Sequence, residues 1–382
     1  MQKLPDTFCP AKWDELIINT SYNYVYGCCK ARPEKFVDNY KEIIDIQKQN
    51  LLNNVQDPSC SYCWNVEKTN GDSLRAQWLK KFDLSKFDEY KNNKSPKIIE
   101  INIGNACNMQ CIYCNPKFSS QWEKDIQDQN YQLFTDRHVY GIDNKNKYLE
   151  VTNLELLNTI EFETLRILGG EPLVNKNFFN ILDKVNHNGN LDVTSNLMSD
   201  RKSIDRLLST RNKFKHIVIN VSLDAGKEIS EFVRYGIDYD LFLKNLDYLL
   251  ENSGENIKIN IISLMTNLTL TDVSNFSFNM ILPRLEKYKD ILTWYLSYCQ
   301  YPRIQSIEAT PDIIKKQAET ALLSLLDNKN IKNVDVVLSV LSSTRFNKTL
   351  FLEFLHFLKQ WENRKNISLP NNIKDLFYEI NN

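Results

Sequence analysis

Long apolar runs are missing from this chain. No stretch reaches membrane-spanning length, and Met1 to Lys12 carries no charged, apolar, small-residue leader, so a soluble, cytoplasmic protein is expected. A surplus of charge is missing too. Lys and Arg number 47 against 48 Asp and Glu, a net −1, which excludes binding to nucleic acid through overall charge. Histidine is sparse: His138, His187, His216 and His356 are scattered, match no metal-ligand spacing and read as structural. Glycine is scarce while Asn and Lys are abundant, and no function follows from that bias. With 42% hydrophobic residues, the 382-residue chain can build a sizeable core, as two or three domains or as one barrel with additions. Cysteine is what the chain does have. Nine without an export signal argue for metal or redox chemistry over a disulfide framework.

Three of the nine fall in one stretch. Ile99-Glu-Ile-Asn-Ile103 alternates like a β-strand, and Cys107, Cys111 and Cys114 follow it in a loop with gaps of three and two residues. A structural zinc site closes with four nitrogen or sulfur ligands, and no histidine or fourth cysteine lies nearby in sequence. A 4Fe-4S cluster ordinarily takes four cysteines, so three leave one iron free for a substrate or cofactor.

With an aromatic residue, Tyr113, just before the last cysteine, the loop resembles the C-x3-C-x-aromatic-C signature of the radical S-adenosylmethionine (SAM) superfamily. The resemblance implies that Cys107, Cys111 and Cys114 hold a 4Fe-4S cluster and that SAM chelates its fourth iron. It also implies one-electron cleavage of SAM to a 5′-deoxyadenosyl radical that abstracts hydrogen from a substrate. A low-potential donor such as flavodoxin or ferredoxin is the implied partner.

Five more cysteines lie in the first 63 residues: Cys9, the pair Cys28-Cys29, and Cys60-Ser-Tyr-Cys63. Trp13 to Gly27 reads as two short strands joined by a polar turn at Asn19 to Asn23, a hairpin that would bring Cys9 and Cys28 together. This stretch resembles the twitch, or half-SPASM, module of radical SAM enzymes, which binds an auxiliary 4Fe-4S cluster. Two departures are clear. Asn23 stands where the family writes glycine, and the module precedes the other motifs instead of following them. The implied ligands are Cys9, Cys28, Cys60 and Cys63, with Cys29 in reserve for Cys28; zinc in the same four thiolates is the open alternative. Helical patterns follow at Pro33 to Val55 and Ser73 to Phe82, and Lys91 to Lys97 reads as a linker. Residues 1–94 are expected to form this module.

Strand candidates then alternate with helices. The strands are Thr164 to Leu168, Leu191 to Thr194, His216 to Leu223, Ile257 to Leu264 and Leu292 to Tyr298. Helices are expected at Phe118 to Gln129, Asn175 to Val185, Ser203 to Ser209, Asp240 to Glu251 and Leu270 to Leu282, the last stopped by Pro283. Asn130 to Glu161 is polar and of no readable structure. Six strands with intervening helices argue for a parallel α/β architecture, and they match the superfamily's partial (β/α)6 TIM-type barrel over residues 95–302.

Sites in such sheets sit at the carboxyl ends of strands. Gly169-Gly170-Glu171-Pro172 follows one strand and matches the family's GGEP motif, which implies contacts to the amino group of SAM. Ser195, Asn196 and Ser222 match positions that contact ribose and carboxylate, Arg234 matches an arginine that pairs with the SAM carboxylate, and Asp224 is placed to touch substrate. Met265-Thr266-Asn267 should pass near adenine. Trp294, Tyr295 and Tyr298 read as core, and Cys299 as a core cysteine or else a hydrogen-atom donor or late cluster ligand.

Residues 303–382 carry no motif; they are expected to be mostly helical, at Thr310 to Asp327 and Thr349 to Trp361, with Ile331 to Leu341 strand or helix and a last turn at Asp375 to Ile380. A peptide or protein side chain is the first substrate expectation. A nucleotide, modified DNA base or other small molecule is the alternative, and a non-enzymatic zinc or iron-sulfur binding protein is the reading from another class.

Overall fold

A computed structural model describes residues 4–20, 24–35, 40–69, 71–93, 95–128, 157–186 and 188–381. Asn23, His138, His187 and nearly all of the polar Asn130 to Glu161 segment lie outside the described residues. The chain divides into two compact units, one drawn from residues 1–104, 144–193 and 212–215, the other from 105–143, 194–211 and 216–382.

In the first unit the strands are β1 (Glu15–Asn19), β2 (Tyr24–Tyr26), β3 (Glu34–Lys35), β4 (Ile98–Asn102), β5 (Thr164–Leu168) and β6 (Asn190–Ser195). Their order is β6-β5-β4-β1-β2-β3. The first four in that order run parallel; β2 and β3 add antiparallel. The expected hairpin forms, with Ile17 opposite Tyr26. Its first strand does more: Leu16 pairs with Ile99 in parallel. Leu16 to Asn19 are all buried, as a strand enclosed on both sides requires. Arg166 sits opposite both Glu100 and Asp192, at 3.3 and 3.1 Å, an opposite-charge ladder across three strands. Glu15, half-buried beside that ladder with Arg166 near it, has its carboxyl pushed above the usual range by desolvation.

In the second unit β7 (His216–Ser222), β8 (Ile257–Met265), β9 (Leu292–Tyr298) and β10 (Ile331–Lys332) are all parallel, in the order β10-β9-β8-β7. Alternate β8 residues, Ile257, Ile259, Ile261 and Met265 among them, are buried. Helices Tyr239–Asn252 and Arg201–Ser209 begin at the aspartates Asp238 and Asp200, whose carboxylates accept from the backbone N–H of Leu241 and Ser203.

Three expectations change. Pro283 does not stop its helix: a π turn, Ser277–Ile281, widens the backbone ahead of it, and the proline sits in the first turn of Leu282–Lys287, where its missing N–H costs nothing. Ile331 to Leu341 is both strand and helix, since Asn333 takes a left-handed conformation between β10 and helix Val334–Ser343. The last turn is a full helix, Asn371–Asn381. Among the described residues no helix is long and apolar enough to cross a membrane.

The second unit's core is aromatic. Trp361 of helix Lys348–Lys365 stacks on Trp122 of helix Ser120–Asp128 with ring centroids 5.3 Å apart, and both are fully buried. Trp361→Ala is expected to lower the unfolding free energy by about 3–5 kcal/mol, measured by urea denaturation against the parent chain; a loss below about 1 kcal/mol would show that the stack carries little.

Candidate functional site

The three-cysteine loop is held from several sides within the second unit. Gln110–Cys111 pairs antiparallel with Arg234–Tyr235, Cys111 facing Arg234, and Ile112 N–H donates to Val233 carbonyl at 2.7 Å. The indole of Trp122 donates to Cys111 carbonyl at 2.8 Å, and the amide of Gln305 donates to Ile112 carbonyl at 2.9 Å. Backbone bonds of this kind fix where the thiols emerge. Cys107, Cys111 and Cys114 are each partly buried, and the charges of Cys107 and Cys111 act on Cys114, so the three thiols share one locale. Burial pushes the Cys111 thiol up, while the guanidinium of Arg234 works against that shift.

Beneath the loop lies a buried charged triad. Arg234 Nη1 donates to Asp224 at 3.1 Å and to the Tyr113 hydroxyl at 2.7 Å, and that hydroxyl donates to Asp224. The Arg234 and Asp224 side chains are only 6% and 2% exposed, so each depends on the other for charge compensation. Asp224 also accepts from Leu264 N–H at 2.8 Å, fixing the end of β7 to β8. Arg234 thus has an intramolecular carboxylate partner, while its Nε is buried without a hydrogen-bond partner.

Asn196 joins the loop: its amide donates to Asn108 at 2.9 Å and lies 3.9 Å from Cys107 sulfur, and its carbonyl oxygen accepts from Met198 N–H. Ser195 is buried and accepts from Leu197 N–H at 2.9 Å. Ser222 closes β7, partly buried. Thr266 and Asn267 are buried, Asn267 donating to Ile304 carbonyl at 2.9 Å. Trp294 is core, its indole donating to Ser263, and Cys299 is buried with its thiol pushed up to about 12 by burial and no cysteine beside it.

The Gly-Gly-Glu-Pro turn belongs to the first unit. Gly170 N–H donates to Gly104 carbonyl at 2.8 Å, and a Cβ on Gly169 would lie 2.9 Å from Gly104 oxygen and from the Ile103 side chain, so only glycine fits. Glu171 is buried; it caps the turn Pro172–Val174 by accepting from Leu173 N–H.

The N-terminal cysteines gather in the same unit. Cys9, Cys28 and Cys60 share one buried cluster with Phe8, Trp13 and Trp64, and Cys9 feels the charges of both other thiols. Arg32 N–H donates to Ser59 carbonyl at 2.8 Å, tying the turn after Cys28 to the turn before Cys60. Cys63, one helical turn on, is buried and acts on Cys60. Cys29 is exposed. None of the nine cysteines forms a disulfide, and among the described residues no group of three or more His, Cys, Asp or Glu is drawn together tightly enough for a single metal ion.

Three residues that hold the loop carry no sequence motif: Trp122, eight residues after Cys114, and Gln305 and Trp361, far from the loop in sequence. Lys12 was visible, three residues after Cys9, but only its burial marks it out.

The strands and the loop define an α/β protein that presents three open thiols just beyond a parallel strand. Residues 101–276, a little under half of the chain, match the model of the Radical SAM superfamily. GTP 3′,8-cyclase of Desulforamulus reducens is 23% identical over 174 residues, 45% of this chain and 48% of that protein. Radical SAM cyclopropyl synthase TigE of Paramaledivibacter caminithermalis is 25% identical over 163 residues, 41% and 34% of the two chains. The matches thus span half or less of these relatives' length. The solved structure of Streptococcus suis SuiB bound to S-adenosylmethionine covers 87% of this chain and 71% of its own, with 13% identity and a TM-score of 0.36.

Asp224→Asn leaves the Arg234 guanidinium buried without a counter-charge. The variant is expected to lose roughly 3–5 kcal/mol of stability, read by denaturant unfolding, and Tyr113→Phe to lose less, about 1 kcal/mol. Equal losses would show that the pair is not the controlling interaction.

Proposed function

We propose that the chain is a radical SAM enzyme whose Cys107, Cys111 and Cys114 hold a 4Fe-4S cluster. One observation carries the reading: three thiols on one loop pinned by backbone bonds, two of which act on the third, a donor set that suits a cluster with one iron left open. When bound, the cluster and SAM supply the one-electron cleavage that yields a hydrogen-abstracting 5′-deoxyadenosyl radical. The protein positions the reactants and keeps water out. In this reading the parallel strands are those of the superfamily's partial (β/α)6 barrel, Tyr113 packs beside the cluster, and Gly169, Gly170, Glu171 and Pro172 receive the amino group of SAM, the glycines by close backbone approach and Glu171 as acceptor. Ser195, Asn196 and Ser222 serve ribose and carboxylate. Arg234 meets the SAM carboxylate only by sharing itself with Asp224, so its first task is to hold Tyr113 and the loop.

Cys9, Cys28, Cys60 and Cys63 are proposed to hold an auxiliary 4Fe-4S cluster within the 1–94 module, with Cys28 in preference to Cys29 because Cys28 lies inside the buried set. The exposed reserve thiol is left for solvent. A flavodoxin or ferredoxin is the proposed donor and the cytoplasm the proposed compartment. That cysteine-rich module favours a peptide or protein side chain as substrate. The relatives named GTP 3′,8-cyclase favour a nucleotide instead.

Anaerobic reconstitution should give about eight irons per chain, falling to about four in the Cys107/Cys111/Cys114→Ala variant, with a SAM-dependent change in the reduced EPR signal only in the parent. No iron in the parent would sink the proposal. For the substrate, 5′-deoxyadenosine release with SAM and dithionite is expected to rise on adding the true substrate class; a rise with GTP and none with peptides would overturn the peptidyl reading.

A further inference from the structure

Lys12 is one of the largest fully buried side chains of the protein, 1% exposed, and it lies among the N-terminal cysteines. Its ammonium donates to Ser59 Oγ at 3.2 Å, and that oxygen is 3.8 Å from Cys60 sulfur. Its stem passes over Gly27, the residue before Cys28: a Cβ there would lie 2.7–2.8 Å from Lys12 Cδ, Cε and Nζ. Among the described residues no carboxylate reaches it as an ion pair. Asp57 feels the Lys12 charge through Ser59 but is already engaged by Asn50 at 2.8 Å and by the Ser59 N–H and hydroxyl at 2.9 and 2.5 Å. Lys48 adds a second buried ammonium over the Trp13 ring.

A buried cation is costly unless an anion compensates it. Four cysteine thiolates around a metal centre supply that anion, and a 4Fe-4S centre gains one further negative charge on reduction. We propose that Lys12 is the built-in counter-cation of the centre at Cys9, Cys28, Cys60 and Cys63, a positioning residue that favours its reduced form. The inference rests on the auxiliary-cluster reading. Glycine at position 27 keeps the ammonium in place: any larger residue displaces the stem without removing the charge.

The test is an EPR-monitored redox titration of the Cys107/Cys111/Cys114→Ala protein, in which only the N-terminal centre remains, against the same protein carrying Lys12→Met or Gly27→Ala. With Lys12→Met, the reduced-to-oxidised ratio at fixed potential is expected to fall about tenfold, which is 59 mV for one electron. Gly27→Ala is expected to move the same way by less, and Lys12→Arg to restore part of the shift. Iron bound in all variants with an unchanged potential overturns the role of Lys12 and leaves the auxiliary cluster standing. No iron in the Cys107/Cys111/Cys114→Ala protein overturns both. Should Lys12→Met fail to fold, the Gly27→Ala and Lys12→Arg potentials decide alone.

Discussion

A single buried guanidinium governs the second unit. Arg234 has no solvent to fall back on, so its charge must be met inside, by Asp224 and the Tyr113 hydroxyl. Each of those partners is committed elsewhere: Asp224 to the backbone of β8, Tyr113 to the cysteine loop between Cys111 and Cys114. The backbone of Arg234 meanwhile pairs with Cys111. One side chain therefore ties loop, strand end and ladder together. The pairing is strong because the dielectric is low: an unpaired charge there costs several kcal/mol, so Arg234 and Asp224 are in place together, with the Tyr113 hydroxyl adding a smaller share.

The two cysteine sets differ in exposure, while burial raises thiols in both. Cys107, Cys111 and Cys114 are partly exposed on a loop, and burial still pushes the Cys111 and Cys114 thiols up. Cys9, Cys28 and Cys60 are buried among Phe8, Trp13 and Trp64, and Cys63 is buried one helical turn on. A thiol in such surroundings resists ionisation: burial pushes Cys28 up to about 12. Only a metal centre or a nearby cation makes thiolates tolerable there, and Lys12 is the cation at hand.

Much of this was legible in the sequence because its signals are local. Alternation placed β4 to β9 within a residue or two at most ends, since burying one or both faces of a strand leaves a pattern of period two or a continuous apolar run. The three-cysteine loop and the Gly-Gly-Glu-Pro turn were legible as motifs because close approach restricts residue type. What was not legible is relational. That β1 pairs with β4, eighty residues away, is a matter of which apolar strands meet, and several are equally apolar. The ion pair of Arg234 with Asp224 is not legible for a similar reason: a guanidinium pairs with any carboxylate, and the chain holds many. Pro283 was read by its local rule, which the preceding π turn relaxes.

The residues with no motif, 303–382, gain a role from the same logic. Lys365 brings its ammonium to Gln110 at 2.5 Å and to Asp125 at 3.2 Å, with Trp361 one turn earlier stacked on Trp122, whose indole holds Cys111 carbonyl. Gln305 holds the next carbonyl. The tail is thus a backstop to the cysteine loop. Such a role asks only for a large aromatic and a long cation on one helix face, three to four residues apart, which any amphipathic helix can carry. That is why it leaves no signature: the demand is on volume and charge at two positions of one helix face.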